Sequence, residues 1–370
     1  MSAPPSPFSH FMLREIHEQP EAIERTIERH RSDHQLDPVQ SALRNATKIV
    51  IAASGSSRHA GLAGEIMIED FADIACDVEY SSEYSYRRPR ASHTHVIMVI
   101  TQSGETGDTI LAQREALARG SRTIAIANVE NSTIVREATA EFLTYAGKEV
   151  AIPATKSFTT QLTALYLFAL KLARMRGSLP FAEIDRRWSD LHAIPDKLRS
   201  CLDPCSESAR AAAAATYQAR DFLFLGRGIH YAIAREGSLK LKEISYLHAE
   251  GYPAGELRHG PSALVDSTLP VVIIATRDLN DESSRLRYEK TLDIAREVKQ
   301  RHGRIIAVGN IGDTELASIA DHVMYVPDAP EHLLPILEVV PLQFYAYHVA
   351  TMNGLDVDKP RNLVKSVAQE

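Results

Sequence analysis

Short apolar runs alternate with longer amphipathic stretches along most of the chain. Each run holds four to six Val, Ile, Leu or Ala residues between turn residues, as in KIVIAASG at 48–55, and the stretch that follows has the hydrophobic period of a helix. Strands of parallel sheets are buried on both faces, so they have continuous apolar sequences of this kind. The alternation therefore predicts βαβ units that share a parallel sheet.

The same order of strands and helices occurs twice. Three strand blocks recur in the two halves, and each half closes with a long amphipathic helix: 48–57 and 221–228, 95–101 and 270–276, 122–128 and 304–310, then 159–174 and 334–352. Self-similarity on this scale predicts duplicated domains. The expected fold class is α/β, with two tandem doubly wound parallel-sheet domains and a C-terminal tail.

The repeat also indicates domain boundaries. We expect an N-terminal tail and linker helix at 1–34, a first domain at 35–178, connecting helices at 179–210, a second domain at 211–355 and a C-terminal tail at 356–370. Within the first segment, residues 12–31 have the pattern of one amphipathic, charge-rich helix.

Composition and charge limit the possible partners. The 370 residues include 41 Lys+Arg and 48 Asp+Glu, a formal net charge of −7, and no basic block stands out. Binding of nucleic acid through counterion release needs such a block, so we expect no nucleic-acid partner. The apolar stretch at 162–172 is broken by Lys171 and is shorter than the roughly 18 residues of a membrane span, so we expect no membrane partner.

The three cysteines, Cys76, Cys201 and Cys205, are an odd number in a long chain. That count suits a reducing compartment, and the first residues contain no secretory signal, so we expect a cytoplasmic location. The spacing of Cys201 and Cys205 does not fit a zinc pair. We expect neither a metal nor another cofactor.

Two hydroxyl-rich turns follow predicted strands of the first half. Ser54-Gly55-Ser56-Ser57 follows the first strand, and Thr101-Gln102-Ser103-Gly104-Glu105-Thr106 follows the next. Hydroxyls and free N–H groups at helix N-termini favour an anion. Ordinary helix capping would also explain them, since Ser and Thr are preferred caps. Two such turns at adjacent strand ends favour a phosphate site.

The second half carries charged groups of another kind. Helical spacing over 236–250 places Glu236, Lys240 and Glu243 on one face, and His259 follows in a loop rich in Gly and Pro. A solvated helix face with ion pairs would explain the three charges. The apolar neighbours favour a more enclosed site, where a carboxylate and an imidazole suit proton transfer on a sugar phosphate.

Taken together, the motifs of the chain resemble the sugar isomerase (SIS) family, and in particular the isomerase domain of the glutamine:fructose-6-phosphate amidotransferases. The resemblance extends from Met12 to the tail, through MLREIHEQP, SGSS, TQSGETGDT, ATKSFTTQL, EGSLKLKEISYLHAE, GELRHGP and DVDKPRNLVKSV. It implies flavodoxin-like SIS domains.

The resemblance also implies the residues of a site. The residues that bind the substrate and its phosphate are Ser56, Ser57, Thr101, Gln102, Ser103 and Thr106, with Ile152 and Ala154 alongside. The catalytic glutamate, which moves a proton between C1 and C2, falls on Glu243, and Lys240 matches the lysine beside it. The ring-opening histidine, contributed across a dimer interface, falls on His259, and the Schiff-base lysine falls on Lys365.

Two departures from the family pattern affect the expected activity. The family enzyme has a glutaminase domain with a cysteine at position two, whereas this sequence starts at the linker helix with Ser2, so we expect no glutamine hydrolysis. Ala154 stands where the family has a serine, which removes one hydrogen bond to the phosphate region.

These features lead to three functional hypotheses. The first is a phosphosugar aldose/ketose isomerase acting on glucosamine 6-phosphate or fructose 6-phosphate, most simply as a homodimeric glucosamine-6-phosphate deaminase that releases ammonia. The second is a glucosamine-6-phosphate synthase subunit that takes ammonia from solution or from a partner. The third is a non-catalytic phosphosugar sensor, since folds of this type serve several functions.

Overall fold

The computed structural model describes residues 7–31, 37–87 and 92–365. The chain divides into two compact units, each built from several segments. We call one the N-terminal unit (21–149, 156–192 and 364–370) and the other the C-terminal unit (1–20, 150–155 and 193–363). The expected N-terminal segment and C-terminal tail are described only in part, because 1–6, 32–36 and 366–370 lie outside the described residues.

Two helices occupy the region where one linker helix was expected. They are α1 (Phe11–His17) and α2 (Gln19–Arg29), separated by Glu18. Pro20 has no N–H and cannot donate to the carbonyl of Ile16. The side-chain amide of Gln19 donates to that carbonyl instead, at 3.0 Å. The proline is tolerated in the first turn of α2, but α1 has to end before it.

The N-terminal unit contains a parallel sheet of five strands in the order β2-β1-β3-β4-β5. The strands are β1 (Lys48–Ala53), β2 (Ala75–Tyr80), β3 (His95–Thr101), β4 (Arg122–Ala127) and β5 (Ala140–Leu143). The helices are α3 (Asp37–Leu43), α4 (Gly55–Ala72), α5 (Ser81–Tyr84), α6 (Gly107–Ala118), α7 (Thr133–Glu137), α8 (Lys156–Arg176) and α9 (Phe181–His192). Because β1 pairs with both β2 and β3, the strand order reverses at β1.

The C-terminal unit repeats this topology with the order β10-β9-β8-β6-β7. Its strands are β6 (Asp221–Gly226), β7 (His248–Pro253), β8 (Pro270–Ala275), β9 (Arg304–Asn310) and β10 (His322–Val326). Its later helices are α10 (Ile194–Thr216), α11 (His230–Ser245), α12 (Glu282–Gln300), α13 (Thr314–Ala317) and α14 (Leu334–Met352). The strand β6 lies between β7 and β8 as β1 lies between β2 and β3. The expected duplicated α/β fold is confirmed.

The apolar pattern predicted the three central strands of each sheet but not the four edge strands. The edge strands are β2, β5, β7 and β10. Only one residue of β2 and one of β7 is buried, so neither strand has a continuous apolar sequence. The sequence pattern extended a helix to residue 250, whereas α11 ends at Ser245 because Tyr246 adopts the left-handed conformation with φ of 60°.

The two long helices α8 and α14 belong to the cores of their units. All residues of α8 from 156 to 173 are buried. Among the described residues, Glu331–Met352 is long and apolar enough to cross a membrane by length and composition, and 94% of an apolar 18-residue window within it is buried inside the protein. Burial on all sides is typical of a core helix that is apolar all round.

Candidate active site

The turn after β1 presents two hydroxyls at the start of α4. Ser56 and Ser57 are partly exposed and lie in the first helical turn, where backbone N–H groups have no partner within the helix. Gln161 of α8 donates to Ser57 Oγ at 3.0 Å. The turn thus places a hydroxyl of fixed position beside a helix N-terminus, an arrangement that attracts anions.

The turn after β3 is held by its own threonines. Thr101 Oγ1 accepts from the N–H of Gly104 at 3.3 Å and lies 3.2 Å from Thr106 Oγ1. Gly104 has a φ of 70°, and a Cβ at this position would lie 1.9 Å from Ser132 Oγ, so only glycine fits. The residues of this turn that remain partly exposed include Gln102, Ser103 and Thr106.

Both turns lie where doubly wound sheets bind ligands. They follow the carboxyl ends of β1 and β3, which are paired neighbours at the point where the strand order reverses. The six candidate phosphate-binding residues on these turns therefore belong to adjacent strand ends of one sheet. The sequence pattern alone predicted this adjacency.

Helix capping does not account for these hydroxyls. Ser54 and Thr106 are the N-cap residues of α4 and α6, and in the described structure neither side chain accepts a bond from its helix. In the C-terminal unit, by contrast, Asp281 and Asp313 cap α12 and α13 through their side chains. Side-chain capping by Ser54 and Thr106 therefore does not explain the hydroxyls of these two turns.

Lys365 lies in the N-terminal unit against a buried carboxylate. Its Nζ donates to Glu149 Oε2 at 2.5 Å. The N–H and hydroxyl of Ser157 also donate to this carboxylate, at 3.1 and 2.7 Å. Sequence reasoning missed Glu149 and Ser157, although a lone acidic residue directly before the 150–155 segment was a usable signal.

Ile152 and Ala154 belong to the C-terminal unit, unlike the hydroxyl-bearing turns. Both are partly exposed, and the N–H of Ile152 donates to the carbonyl of Asp358 at 3.0 Å. The carboxylate of Glu15 accepts from the N–H groups of residues 150 and 151. Residues 150–152 are therefore held by Glu15 of α1 and by Asp358 of the tail, through hydrogen bonds that the sequence pattern did not predict.

On α11, a buried lysine joins two carboxylates. Lys240 Nζ lies 3.3 Å from Glu236 Oε1 and 2.7 Å from Glu243 Oε2. Glu236 and Lys240 are completely buried, and the Glu243 side chain is 22% exposed. Burial by itself lowers the pKa of the Lys240 amine, but the two carboxylates outweigh burial and raise this pKa above its usual value. The interpretation as a solvated helix face is wrong for these two residues.

His259 lies apart from this row on an exposed surface of the same unit. It ends the short 3₁₀ helix Ala254–His259, and Gly260 follows with a φ of 135°. No residue that the structure describes donates to or accepts from the His259 ring. Its exposure leaves the ring open to a second molecule.

The tail is bound to the C-terminal unit before it reaches Lys365. The carboxylate of Asp358 accepts from the N–H groups of Phe11 and Met12 at 2.9 and 2.8 Å. The N–H of Arg361 donates to Tyr246 Oη at 2.9 Å, and its guanidinium lies 4.3 Å from the centre of that ring. Several specific bonds thus fix the path of the tail.

The equivalent crevice of the C-terminal unit is filled by its own side chains. His230, at the start of α11, lies 2.7 Å from Glu338 Oε1 and 3.2 Å from Glu331 Oε1. The hydroxyl of Thr276, directly after β8, also donates to Glu338. A buried ion network therefore replaces the hydroxyls of the first repeat, so the two repeats have diverged at the corresponding point.

The candidate residues do not line the cavity described in the C-terminal unit. A cavity of about 780 Å³ lies at the amino ends of β6 and β9 and contains none of them. Within 7–31, 37–87 and 92–365, no group of three His, Cys, Asp or Glu side chains could hold a metal ion.

Two doubly wound repeats with a hydroxyl-lined crevice in one of them define an α/β protein of the sugar isomerase class. The chain belongs to the SIS domain family, whose model matches residues 42–171 and 216–353. It is 45% identical over 369 residues, 98% of its length, to the isomerizing glutamine–fructose-6-phosphate aminotransferase of Caldanaerobacter subterraneus. It is 44% identical over 370 residues, again 98% of its length, to the enzyme of that name from Methanosarcina acetivorans.

Solved structures show the same relationship. The C-terminal domain of glucosamine-fructose-6-phosphate aminotransferase from Francisella tularensis superposes with a TM-score of 0.88 at 37% identity, covering 97% of this chain and all of that domain. A glucosamine-6-phosphate deaminase from Thermotoga maritima, at 22% identity and a TM-score of 0.74, covers 97% of this chain and all of its own and shares the fold. The chain spans 59% of the length of the curated relatives named above.

Proposed function

We propose that the chain is a phosphosugar aldose/ketose isomerase that acts on fructose 6-phosphate and glucosamine 6-phosphate. The observation that carries this proposal is the ion-paired set Glu236, Lys240 and Glu243 on α11. Two of these residues, Glu236 and Lys240, are completely buried, and only Glu243 reaches solvent. A partly exposed carboxylate beside a buried ammonium suits a base that shuttles one proton. The names of the aminotransferase relatives support fructose 6-phosphate as substrate.

In this proposal, Glu243 moves a proton between C1 and C2 of the open-chain sugar. The carboxylate removes a proton from C1 of the ketose or its imine, and the C–H electron pair forms a C1–C2 double bond. The double bond from C2 to oxygen or nitrogen becomes single as the heteroatom takes up a proton. Return of the first proton to C2, with loss of the C1 hydroxyl proton as its oxygen becomes the C1 carbonyl, then leaves an aldose or an aldosamine. Lys240 positions Glu243 throughout.

The N-terminal unit supplies the phosphate site in the same proposal. Six residues bind the phosphate: Ser56, Ser57, Thr101, Gln102, Ser103 and Thr106. Their turns follow paired strands at the switch point, and Thr106 does not cap α6 through its side chain, which supports this role. Ile152 and Ala154 lie alongside the sugar. Since Ala154 has no hydroxyl, the phosphate region receives one hydrogen bond fewer from this position.

His259 and Lys365 have separate roles. His259 opens the sugar ring from the partner subunit of a homodimer, a role that its exposed position supports. Lys365 forms a Schiff base with the ketose: its nitrogen bonds to C2 and gives up two protons, with which the carbonyl oxygen leaves as water. Water or ammonia later adds to C2, and the bond from C2 to the lysine nitrogen breaks as that nitrogen takes up two protons from the water or ammonia and leaves as the free amine. The amine is presented by Glu149 rather than left in solvent, which supports this role.

The direction of the reaction separates two activities. Run from glucosamine 6-phosphate, the isomerase releases ammonia and acts as a deaminase. Run from fructose 6-phosphate with ammonia from solution or a partner, it acts as a synthase. Relatives at 41 to 45% identity are named aminotransferases, which favours the second direction, whereas the deaminase structure at 22% identity supports only the shared fold.

The test measures both directions with one preparation. Purified protein is given glucosamine 6-phosphate, and ammonia and fructose 6-phosphate are quantified. It is then given fructose 6-phosphate with ammonium, and glucosamine 6-phosphate is quantified. Product in either direction supports the isomerase. The faster direction shows whether the protein acts mainly as a deaminase or as a synthase. A protein that binds both sugars and converts neither would be a sensor.

We further propose that the chain works in the cytoplasm without nucleic-acid or membrane partners. The net charge of −7 and the three buried free cysteines support this location. The apolar segment Glu331–Met352 is packed inside the protein, which supports a structural role for it.

A further inference from the structure

Lys365 and Glu149, 216 positions apart in sequence, meet within the N-terminal unit. The side chain of Glu149 has no exposed surface, whereas that of Lys365 is 27% exposed. A carboxylate taken out of water costs several kcal/mol unless it is paired and hydrogen-bonded. The contact therefore differs from a surface ion pair, which contributes little and needs no fixed geometry.

Ser157 fixes the direction of this carboxylate. Its N–H donates to Oε1 of Glu149 and its hydroxyl donates to Oε2. Ser157 lies in the first turn of α8, so the carboxylate is attached to a buried helix. With both oxygens held, Oε2 offers the amine of Lys365 one defined position.

The same helix connects this position to the phosphate-binding turn. Gln161 lies four residues beyond Ser157 on α8 and donates to Ser57 Oγ. Four residues of α-helix rise roughly 6 Å. One turn of α8 thus connects the carboxylate that holds the Lys365 amine to the side chain that holds the hydroxyl of Ser57.

We propose that Glu149 is the positioning residue for the tail lysine, holding the Lys365 amine where the carbonyl carbon of a sugar phosphate bound at the Ser57 turn arrives. This inference rests on the proposed Schiff-base role of Lys365. Because Glu149 acts through the lysine, its loss affects turnover and imine formation while sugar affinity, set by the hydroxyl-bearing turns, is retained.

The test compares wild type with Glu149→Gln, which keeps the shape and loses the charge. With fructose 6-phosphate, we expect kcat and the rate of borohydride-trapped adduct at Lys365 to fall about 10- to 100-fold, the usual effect of a misplaced reacting group. We expect KM to stay within about twofold, since uniform sugar binding is untouched. Acetylation of Lys365 in sugar-free protein, followed by mass spectrometry, should increase. Glu149→Asp, which keeps the charge, should recover part of the trapping rate.

Two control variants separate positioning from stability and from chemistry. Ser157→Ala keeps the charge of Glu149 but removes one of the two bonds that orient it, so the trapping rate should fall less than in Glu149→Gln even where the two variants lose a similar amount of thermal stability. Lys365→Arg retains a cation for Glu149 but cannot form an imine, so it abolishes trapping while the melting temperature is unchanged.

The outcomes distinguish this inference from the proposed function. Wild-type turnover without any trapped adduct would remove the Schiff-base role, whatever Glu149 does. If wild type is trapped, and Glu149→Gln is trapped and acetylated at the wild-type rate, the positioning role fails while the Schiff base stands.

Discussion

The buried amine of Lys240 lies 2.7 Å from Oε2 of Glu243, one turn further along α11. The lysine is completely buried and the glutamate reaches solvent. The ion pair therefore orients a carboxylate whose other face is open. A base of fixed direction loses little entropy when a substrate binds, which is the advantage of preorganisation in proton transfer.

We predict that Glu243→Gln stops isomerisation. The amide has the same shape but cannot accept a carbon-bound proton, so kcat should fall about 10² to 10⁴-fold. Phosphosugar affinity, measured by calorimetry, should hardly change. Glu289→Gln, on the exposed surface of α12, serves as the matched control with wild-type activity. An undiminished kcat in Glu243→Gln would remove this residue from the mechanism.

Ser103→Ala and Thr106→Ala should weaken phosphosugar binding more than they weaken folding. Thr106 does not cap α6 through its side chain, so the loss of about 1 kcal/mol that follows removal of a cap is not expected there. Each variant loses one local bond, from the N–H of Glu105 to Ser103 or between Thr101 and Thr106. Asp281→Ala is the contrasting control, because that carboxylate accepts from the N–H groups of Ser283 and Ser284. It should lower stability and leave affinity unchanged. Titration with fructose 6-phosphate measures the affinity of each variant, and melting curves measure its stability. Unchanged affinity with a lower melting temperature would show that the two hydroxyls are structural.

Hybrid dimers test whether His259 acts across a subunit interface. We expect His259→Asn and Glu243→Gln each to be inactive alone. If the histidine serves the partner subunit, each mixed dimer of the two variants has one intact site, and random mixing restores about a quarter of the wild-type activity. Denaturing and refolding the two variants together, followed by an activity assay, measures this. Absence of recovery in mixed dimers identified by mass would place both residues in one chain's own site.

The network around His230 predicts how stability depends on pH. Burial lowers the pKa of this imidazole, but Glu338 and Glu331 outweigh burial and raise the pKa from 6.5 to about 10. The folded state therefore holds a proton that the unfolded state has lost between these values. The free energy of unfolding should decrease from pH 6.5 to about 10, by up to about 1.4 kcal/mol per pH unit.

Glu331 of the same network makes stability depend on pH in the opposite direction at acid pH. Burial raises the pKa of Glu331, but His230, Ser284 and Arg287 outweigh it and lower the pKa to about 2. Its contribution is present above pH 4.5 and lost as the pH falls towards 2. Chemical denaturation at several pH values, for wild type and His230→Gln, measures both slopes. Equal slopes for the two proteins between pH 6.5 and 10 would contradict the assignment to His230.

The central strands of both sheets could be predicted from the amino-acid pattern because burial on two faces demands apolar residues at every position. The edge strands β2 and β7 could not, since one side of each strand is free and polar residues are tolerated there. The topology of each unit followed from the repeat, and the hydroxyl-bearing turns followed from their position directly after two predicted strands.

The candidate site, too, could be predicted from the sequence only in part. The spacing of Glu236, Lys240 and Glu243 determined that they share a helix face, because helical geometry is local. Their burial depended on packing in the C-terminal unit, which spacing alone does not report. The pairing of Glu149 with Lys365 joins residues 216 positions apart. No local pattern encodes such a contact, because only the folded chain brings the tail to a buried carboxylate.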